Sequence, residues 1–429
     1  MRLRQCRTAI VLLLWSAVVS PAVAQPLPPS EPEALGMSSE RLNRIDRVMQ
    51  MLIDSSRTAG IATLIVRDGH IVHSGVWGWA DREARRALTG DALFRIASQT
   101  KAVTTVAVMM LLEEGRVRLA DNAHLWVPAL SHATVMTDSG PVPVRRPITI
   151  RDLLTHTAGI SYGVDASVRD RYGAAGLGPA AGWGWYLADK PEPICTLMDR
   201  LATLPFVAQP GERFVYGYNT DLLGCIVERV SGMPLDEFFR ARIFEPLAMH
   251  DTYFFVSPAQ RHRLTTVYAA NEGRLERAPD GALGQGAYVD GPRASFSGGA
   301  GLVSTIGDYA RFLQMLANGG ELNGVRLLAP STVELMTRDH IGALFGRPGF
   351  GMSLGFDYLD DPGVAGRHGN RGAWGWGGAY ATTYWVDPAE RLVALIMTQT
   401  LPSGGLDAAD RFRALVYAAI VGPPDATKR

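Results

Sequence analysis

Ser98 and Lys101 stand three residues apart in the stretch Phe94-Arg95-Ile96-Ala97-Ser98-Gln99-Thr100-Lys101-Ala102-Val103. A serine hydroxyl becomes a useful nucleophile only when a neighbouring base takes its proton. A lysine amine is such a base once it has shed its own proton, and burial favours that neutral form. Lysine is rare in this chain: of 42 Lys+Arg residues, only Lys101, Lys190 and Lys428 are lysines. Arginine, which fills every other cationic position, stays charged under protein conditions. A lysine here is what acyl transfer through a serine needs. The spacing alone also fits a surface lysine beside a helix-capping serine, so the rest of the chain has to decide.

Two further stretches carry groups suited to the same chemistry. In Gly211-Glu212-Arg213-Phe214-Val215-Tyr216-Gly217-Tyr218-Asn219-Thr220-Asp221, Tyr216 lies on a glycine-flanked approach to a helix. A phenol placed there can point into a cleft and shuttle a proton to or from Ser98; the alternative is a packed core aromatic. In Arg371-Gly372-Ala373-Trp374-Gly375-Trp376-Gly377-Gly378-Ala379-Tyr380, glycines at a strand margin let a ligand approach the backbone closely. A free N–H on an edge strand there can stabilise a developing oxyanion; the alternative is a glycine-rich turn whose aromatics cover a core. Phe296-Ser297-Gly298-Gly299-Ala300-Gly301-Leu302 is another glycine-rich approach, with no role assigned, leading into a helix from about Thr305. Gly159-Ile160-Ser161-Tyr162-Gly163 matches the Gly-x-Ser-x-Gly nucleophile elbow, which works only on a sharp strand-to-helix turn. The segment before it, 148–158, reads as a short helix stopped by Gly159. No strand feeds Ser161, so the match is accidental, and the nearby His156 reads as structural.

The elements that must hold these groups follow from periodicity. After Ser98 the apolar residues Val103, Val106, Ala107, Met110 and Leu111 recur at helical spacing, and Gly115 supplies a stop. Positions i and i+3 are neighbours on a helix, so the Ser98 hydroxyl and the Lys101 amine can meet. Residues 40–53 look helical. Two β-prone runs flank Asp68-Gly69, a strong hairpin signal. The first, Ile61 to Val66, is almost continuously apolar, as expected of a strand covered on both faces. Matching strands lie far downstream, at about Tyr380–Val386 and Arg391–Thr400, before a last helix within Leu406–Ile420. One sheet is therefore built from both ends of the chain, with helices and loops dominating 150–290. After Tyr216, the residues Leu222, Leu223, Ile226, Val227 and Val230 mark one face of a helix that ends at Gly232.

The chain of 429 residues carries no net charge. It is long enough for a large core in two lobes, and nothing basic enough to bind nucleic acid appears. Arg2, Arg4 and Arg7 precede an apolar run from Ala9 to Trp15 and an Ala22-Val23-Ala24 cleavage site, the pattern of a secretory signal peptide over 1–24. The run is too short for a membrane span. A secreted or periplasmic protein starting near Gln25 is expected. Cys6 leaves with the signal. An oxidising compartment permits a bond between Cys195 and Cys225, but the apolar neighbours of Cys225 favour a buried free thiol. The nine histidines are scattered and no metal-binding or phosphate-loop spacing occurs, so no metal and no cofactor are expected.

Taken in order, the three boxes resemble the serine β-lactamase and penicillin-binding-protein superfamily, and within it the class C β-lactamase-like family VIII carboxylesterases. Supporting stretches are Asp152-Leu153-Leu154-Thr155-His156-Thr157-Ala158-Gly159, Pro210-Gly211-Glu212, Ile243-Phe244-Glu245-Pro246-Leu247-Ala248-Met249 and Gly301-Leu302-Val303-Ser304-Thr305. The resemblance implies an α+β fold: an antiparallel sheet flanked by helices, a mostly helical lobe, and the active site between them. The α/β lobe would comprise 25–130 and 291–429, and the helical lobe 131–290. It implies Ser98 as nucleophile, Lys101 as its base, Tyr216 completing the proton relay, and the N–H groups of Ser98 and Ala379 as oxyanion hole. Trp376-Gly377-Gly378 stands where lactamases have Lys-Thr-Gly, and Tyr216-Gly217-Tyr218 lacks the asparagine of the family's second box. Losing a cation and an amide argues for an esterase of short-chain carboxylic esters, with Tyr218, Trp374, Trp376, Gly377, Gly378 and Tyr380 lining a cleft for uncharged acyl or alcohol groups. Shared acyl-enzyme chemistry leaves β-lactamase or D-Ala peptidase activity open as an alternative, with Arg371 as a substitute cation. A non-catalytic penicillin-binding-like protein is the remaining alternative.

Overall fold

The computed structural model describes residues 26–177, 187–271, 274–281, 284–402 and 405–423; the expected signal peptide, with Cys6, lies outside them. Eight strands form one antiparallel sheet drawn from both ends of the chain. Their order is Phe350–Met352, Asp357–Leu359, Trp374–Gly378, Thr382–Asp387, Leu392–Met397, β1 (Gly60–Arg67), β2 (His70–Asp81) and Arg86–Ala87. The junction of the two ends is the β1 pairing with Leu392–Met397, in register from Ala62↔Met397 to Arg67↔Leu392. The hairpin turn falls at Asp68-Gly69 as expected, and both residues take positive φ, 51° and 80°, as the tight turn between twisted strands requires.

The unbroken apolar character of β1 has the anticipated cause. Ala62, Leu64 and Val66 enter one core, while Ile61 and Ile65 enter the other, so successive side chains serve opposite faces. Helix α1 (Ser39–Asp54) and the C-terminal helix Ala408–Ala419 cover the second face. Ser38 caps α1 by accepting from the Arg41 N–H at 3.3 Å. The first face is covered by α2 (Thr100–Glu113) and the helix Ile306–Ala317. Every residue of α2 from Thr100 to Leu111 is buried, and a helix with no exposed stripe is an internal one.

Beyond α2, the helix Asn219–Ser231 packs onto it, and Ile150–Leu154 and Ile194–Leu201 pack onto Asn219–Ser231, all sharing the core of the first face. Gly232, at φ 77°, ends the last of these. Short hairpins, Thr134–Thr137 with Gly140–Pro143 and Tyr268–Asn271 with Arg274–Arg277, interrupt the helical middle. Among the described residues no helix is long and apolar enough to cross a membrane.

The expectation for Cys225 requires correction. It is not a free thiol but is bonded to Cys195. The apolar positions beside Cys225 do face a core, yet the packing of Ile194–Leu201 against Asn219–Ser231 brings the second sulfur into that same core. The bond joins residues 30 apart and so restricts the unfolded chain, a contribution of about 3 kcal/mol. The double variant Cys195→Ala/Cys225→Ala is expected to lose about that much in urea unfolding. Dithiothreitol should lower the wild-type midpoint to that of the variant and leave the variant unmoved; a wild-type midpoint indifferent to reductant would contradict the bond.

Candidate active site

Ser98 lies in the single 3-10 turn Ala97–Gln99 that leads into α2, half-buried at the base of a cleft. The residue before it, Ala97, is held at φ 43°, a left-handed conformation that L-residues adopt only where the surroundings enforce it. The surroundings are a small core of Ala97, Val267, Ala278, Tyr380 and Leu401. From the other side the strand Trp374–Gly378 closes on the same turn. A Cβ at Gly378 would lie 2.4 Å from the Ile96 carbonyl oxygen, so only glycine lets the strand come this near.

Lys101 follows one helical turn later and is buried to 1 % exposure. Its Nζ lies 2.7 Å from the Gly299 carbonyl oxygen, 3.0 Å from Tyr162 Oη and 3.3 Å from Ser98 Oγ. The carbonyl can only accept, so one N–H is committed to Gly299; the two hydroxyl oxygens can accept or donate. Burial, ahead of the charges around it, pushes the Tyr162 phenol far above its ordinary range, which keeps it neutral. The segment of Gly299 is tied down in turn: Ser297 Oγ and the Gly299 N–H donate to Asp221 Oδ1 at 2.5 and 3.1 Å. Asp221 is fully buried, and that burial pushes its carboxyl up despite Ser297 and the nearby Lys101 charge. Its Oδ2 has no hydrogen-bond partner.

Tyr216 enters from the approach to the helix Asn219–Ser231. Lys101 Nζ sits 4.6 Å from the centre of its ring, and Trp376 Nε1–H donates to its hydroxyl oxygen at 3.2 Å. The ring is backed by His156, 4.7 Å between centroids. Burial first, and the Lys101 charge second, hold His156 well below its usual range. It is therefore neutral, and its Nδ1 accepts from Asn219 Nδ2 at 2.9 Å. His156 is a prop, as the sequence suggested. Gly217 admits the backbone of Ile160 and Ser161 at a distance no side chain would tolerate, 2.2 Å from a Cβ to the Ile160 oxygen. Ser161 itself is buried, its Oγ accepting from the Gly163 N–H at 2.8 Å; no strand leads into it.

The structure thus gathers Ser98, Lys101, Tyr216, Trp376, Gly377, Gly378 and Ala379 around one cleft of about 500 Å³. The strand carrying the third box is not an edge strand. Its first half pairs with Asp357–Leu359, the last pairs being Asp357↔Gly375 and Tyr358↔Trp374. Residues 376–378 then run on with no paired strand on that side among the described residues, and Ala379 follows the last ladder pair, Gly378↔Thr382.

Three expected cleft residues lie elsewhere. Tyr218 is 1 % exposed and donates to the Leu177 carbonyl, because the start of its helix turns it into the core. Trp374 points to the same side as Trp376 but is covered by Phe356, 4.6 Å between centroids. Tyr380 fills the core beneath Ala97. Arg371 does not replace the missing cation: it is 73 % exposed and paired with Asp360 at 2.7 Å. Tyr162, Asp221, Ser297 and Gly299 carry no sign of a role in the sequence. Asp221 lies within the second box and Ser297 and Gly299 within the unassigned glycine-rich stretch, but only the folded chain joins them to Lys101.

Residues 45–419 match the Beta-lactamase family. The chain belongs to it. Esterase EstB of Burkholderia gladioli is 30% identical over 390 residues, covering 87% of this chain and 94% of the esterase. Lovastatin esterase of Penicillium rubens is 30% identical over 419 residues, covering 87% and 98%. Among solved structures, EstCE1, described as a hydrolase with promiscuous acyltransferase activity, superposes with a TM-score of 0.77 at 29% identity, covering 88% of this chain and 98% of that one. This family member is a β-lactamase-fold hydrolase with esterases among its relatives, and its fold is the β-lactamase/transpeptidase-like one the sequence implied.

The close approach at Gly378 gives a test of this geometry. Gly378→Ala places a methyl against a backbone oxygen that cannot retreat, an overpacking of about 1–3 kcal/mol. The strand should be displaced from Ser98. Labelling of Ser98 by a fluorophosphonate is expected to slow by about tenfold or more while the circular dichroism spectrum keeps its shape. Unchanged labelling would mean that the strand does not set the site.

Proposed function

We propose that the protein is a serine carboxylesterase that cleaves short-chain esters through an acyl-enzyme on Ser98. The observation that carries this reading is the Lys101 Nζ, buried at the base of the cleft and 3.3 Å from Ser98 Oγ. Ser98 Oγ attacks the ester carbonyl as its proton passes toward Lys101 and Tyr216. The N–H groups of Ser98 and Ala379 hold the developing oxyanion, where fixed donors are worth most; the N-terminal end of α2 adds a partial positive charge. The relay returns the proton to the departing alkoxide, and the alcohol leaves. Water, its proton taken through Tyr216, then attacks the acyl carbon, releasing the acid and restoring the serine hydroxyl.

The esterase relatives support this substrate class, as does the replacement of the family's third-box lysine by Trp376, whose indole faces Tyr216 rather than solvent. The alternatives, β-lactam or D-Ala peptide hydrolysis, use the same residues, and a nitrocefin assay beside a p-nitrophenyl ester separates them. The Cys195–Cys225 bond supports action in an oxidising compartment, consistent with export and cleavage near Ala24/Gln25.

Ser98→Ala is expected to lose ester turnover by about three orders of magnitude or more, with the thermal midpoint little changed. Lys101→Arg should be nearly as inactive as Lys101→Ala, because arginine keeps the charge but cannot act as a base. Near-normal hydrolysis of p-nitrophenyl butyrate by either Ser98→Ala or Lys101→Arg would overturn the mechanism.

A further inference from the structure

The part of the cleft away from Ser98 is lined by three arginines, none of which belongs to the three boxes. Arg347 precedes the strand Phe350–Met352, Arg367 follows the short helix Pro362–Ala365, and Arg413 projects from the C-terminal helix Ala408–Ala419; all border the same space as Ser98, Tyr216 and Gly377. One carboxylate lines the cleft with them, Asp357, which feels the charge of all three.

The ion pairs here are loose. Arg347 Nη1 is 3.4 Å from Asp357 Oδ2. Arg367 Nη2 is 3.4 Å from Asp410 Oδ1, on a side chain 74% exposed. Arg413 has no ion-pair partner among the described residues; it donates to the His368 carbonyl at 3.3 Å and lies 4.1 Å over the Trp385 ring. These contacts contrast with pairs closed by both nitrogens, Arg146 on Asp152 at 2.6 and 2.8 Å and Arg263 on Asp251 at 2.6 and 2.7 Å. Keeping three guanidinium groups together around one carboxylate is costly. Burial, then the neighbouring Arg367, pushes Arg413 down to about 10, and burial pushes the Asp357 carboxyl up. A second anion between the arginines would offset this repulsion and use their unspent N–H groups.

Strand geometry shows how such an anion can belong to a substrate at Ser98. Gly375 and Gly377 pair with Trp385 and Thr383, while Trp376 pairs with Tyr384, so alternate residues face opposite sides. Trp376 faces Tyr216, and Gly375 and Gly377 face the side on which Arg413 covers Trp385. Beyond Gly375 the strand stays paired with Thr382–Asp387 on one side, and on the other, where Asp357–Leu359 pairs only as far as Gly375, its edge carries no paired strand among the described residues. A Cβ at Gly377 would meet nothing nearer than 3.2 Å. An extended group can therefore pass along the free edge from Ser98, over Gly377, to the arginines.

We propose that the cleft selects esters bearing a carboxylate on the part remote from the scissile bond, with Arg347, Arg367 and Arg413 as its receptor; half-esters of short dicarboxylic acids are the simplest examples. This rests on the esterase reading above. The planar guanidinium fork matches a carboxylate's two oxygens, which favours it over a diffuse attraction for any anion.

The test compares kcat/KM for mono-p-nitrophenyl glutarate and p-nitrophenyl butyrate in the full chain. The glutarate is expected to be preferred by about tenfold or more at low salt, a factor of the size charge-assisted hydrogen bonds supply. That ratio should fall by about tenfold in Arg347→Gln/Arg367→Gln, be partly restored in Arg347→Lys/Arg367→Lys, and shrink with ionic strength. A ratio near one, or one the Gln variant leaves in place, overturns the inference while leaving the esterase reading intact. If neither ester is turned over, the esterase reading fails, and calorimetric titration of Ser98→Ala protein with glutarate still decides about the subsite. Binding that the Gln variant abolishes supports it; no binding, or binding the variant keeps, overturns it.

Discussion

Burying an amine is the constraint on which this structure turns. A cation withdrawn from water costs several kcal/mol unless oxygen atoms replace its hydration, and Lys101 is almost wholly withdrawn. The replacements are gathered from across the chain: Ser98 from its own helix, Tyr162 from the failed elbow, Gly299 from the glycine-rich approach, with Asp221 fixing that approach from the second box. No local element could assemble this set. The sheet built from both ends, the buried helix α2 and the helices around it are the means by which two distant segments reach the nitrogen beside Ser98, with a third holding one of them in place.

Distances between backbones, more than side-chain packing, set that meeting point. The strand Trp374–Gly378 reaches the turn of Ser98 only because Gly378 has no Cβ, and the Tyr216 segment reaches Ile160 and Ser161 only because Gly217 has none. Each contact is between main chains, so each fixes a spacing that side-chain motion cannot relax. This is why a loop-borne phenol and a strand-borne indole can meet at 3.2 Å beside a lysine that belongs to neither segment.

What the sequence disclosed and what it withheld divide along the same line. Local periodicity and turn chemistry revealed α1, the β1–β2 hairpin, α2, the C-terminal helix and the closing of the sheet from both ends, because those signals lie within a few residues of each other. Ser98, Lys101 and Tyr216 were legible as residue types suited to one chemistry. Depth was not legible. Trp374 and Trp376 share a face, and only the arrival of Phe356 makes one a core residue and the other a cleft wall. Tyr218 and Tyr380 were misplaced for the same reason. Pairing was not legible either: an apolar setting for Cys225 fits a thiol and a disulfide equally, and the docking of Ile194–Leu201 decides between them. Tyr162 and Asp221 gave no sign because their importance is their distance to Lys101, which no spacing in the chain encodes.

The placement of charge follows from the same alternation that hid those depths. A cation at position 376 would face Tyr216 and add its repulsion to a lysine already stripped of solvent, since like charges interact strongly where water is excluded. Tryptophan there offers a neutral N–H to the Tyr216 oxygen instead. The neighbouring positions 375 and 377 face the other side of the strand, and it is on that side that Arg347, Arg367 and Arg413 collect. Separating the two by the thickness of one strand lets a single cleft hold a buried lysine and a group of arginines without setting them side by side. Of the two glycines flanking position 376, Gly375 lets the strand lie close against Tyr384 and Trp385, and Gly377, which lines the cleft, keeps its two halves continuous.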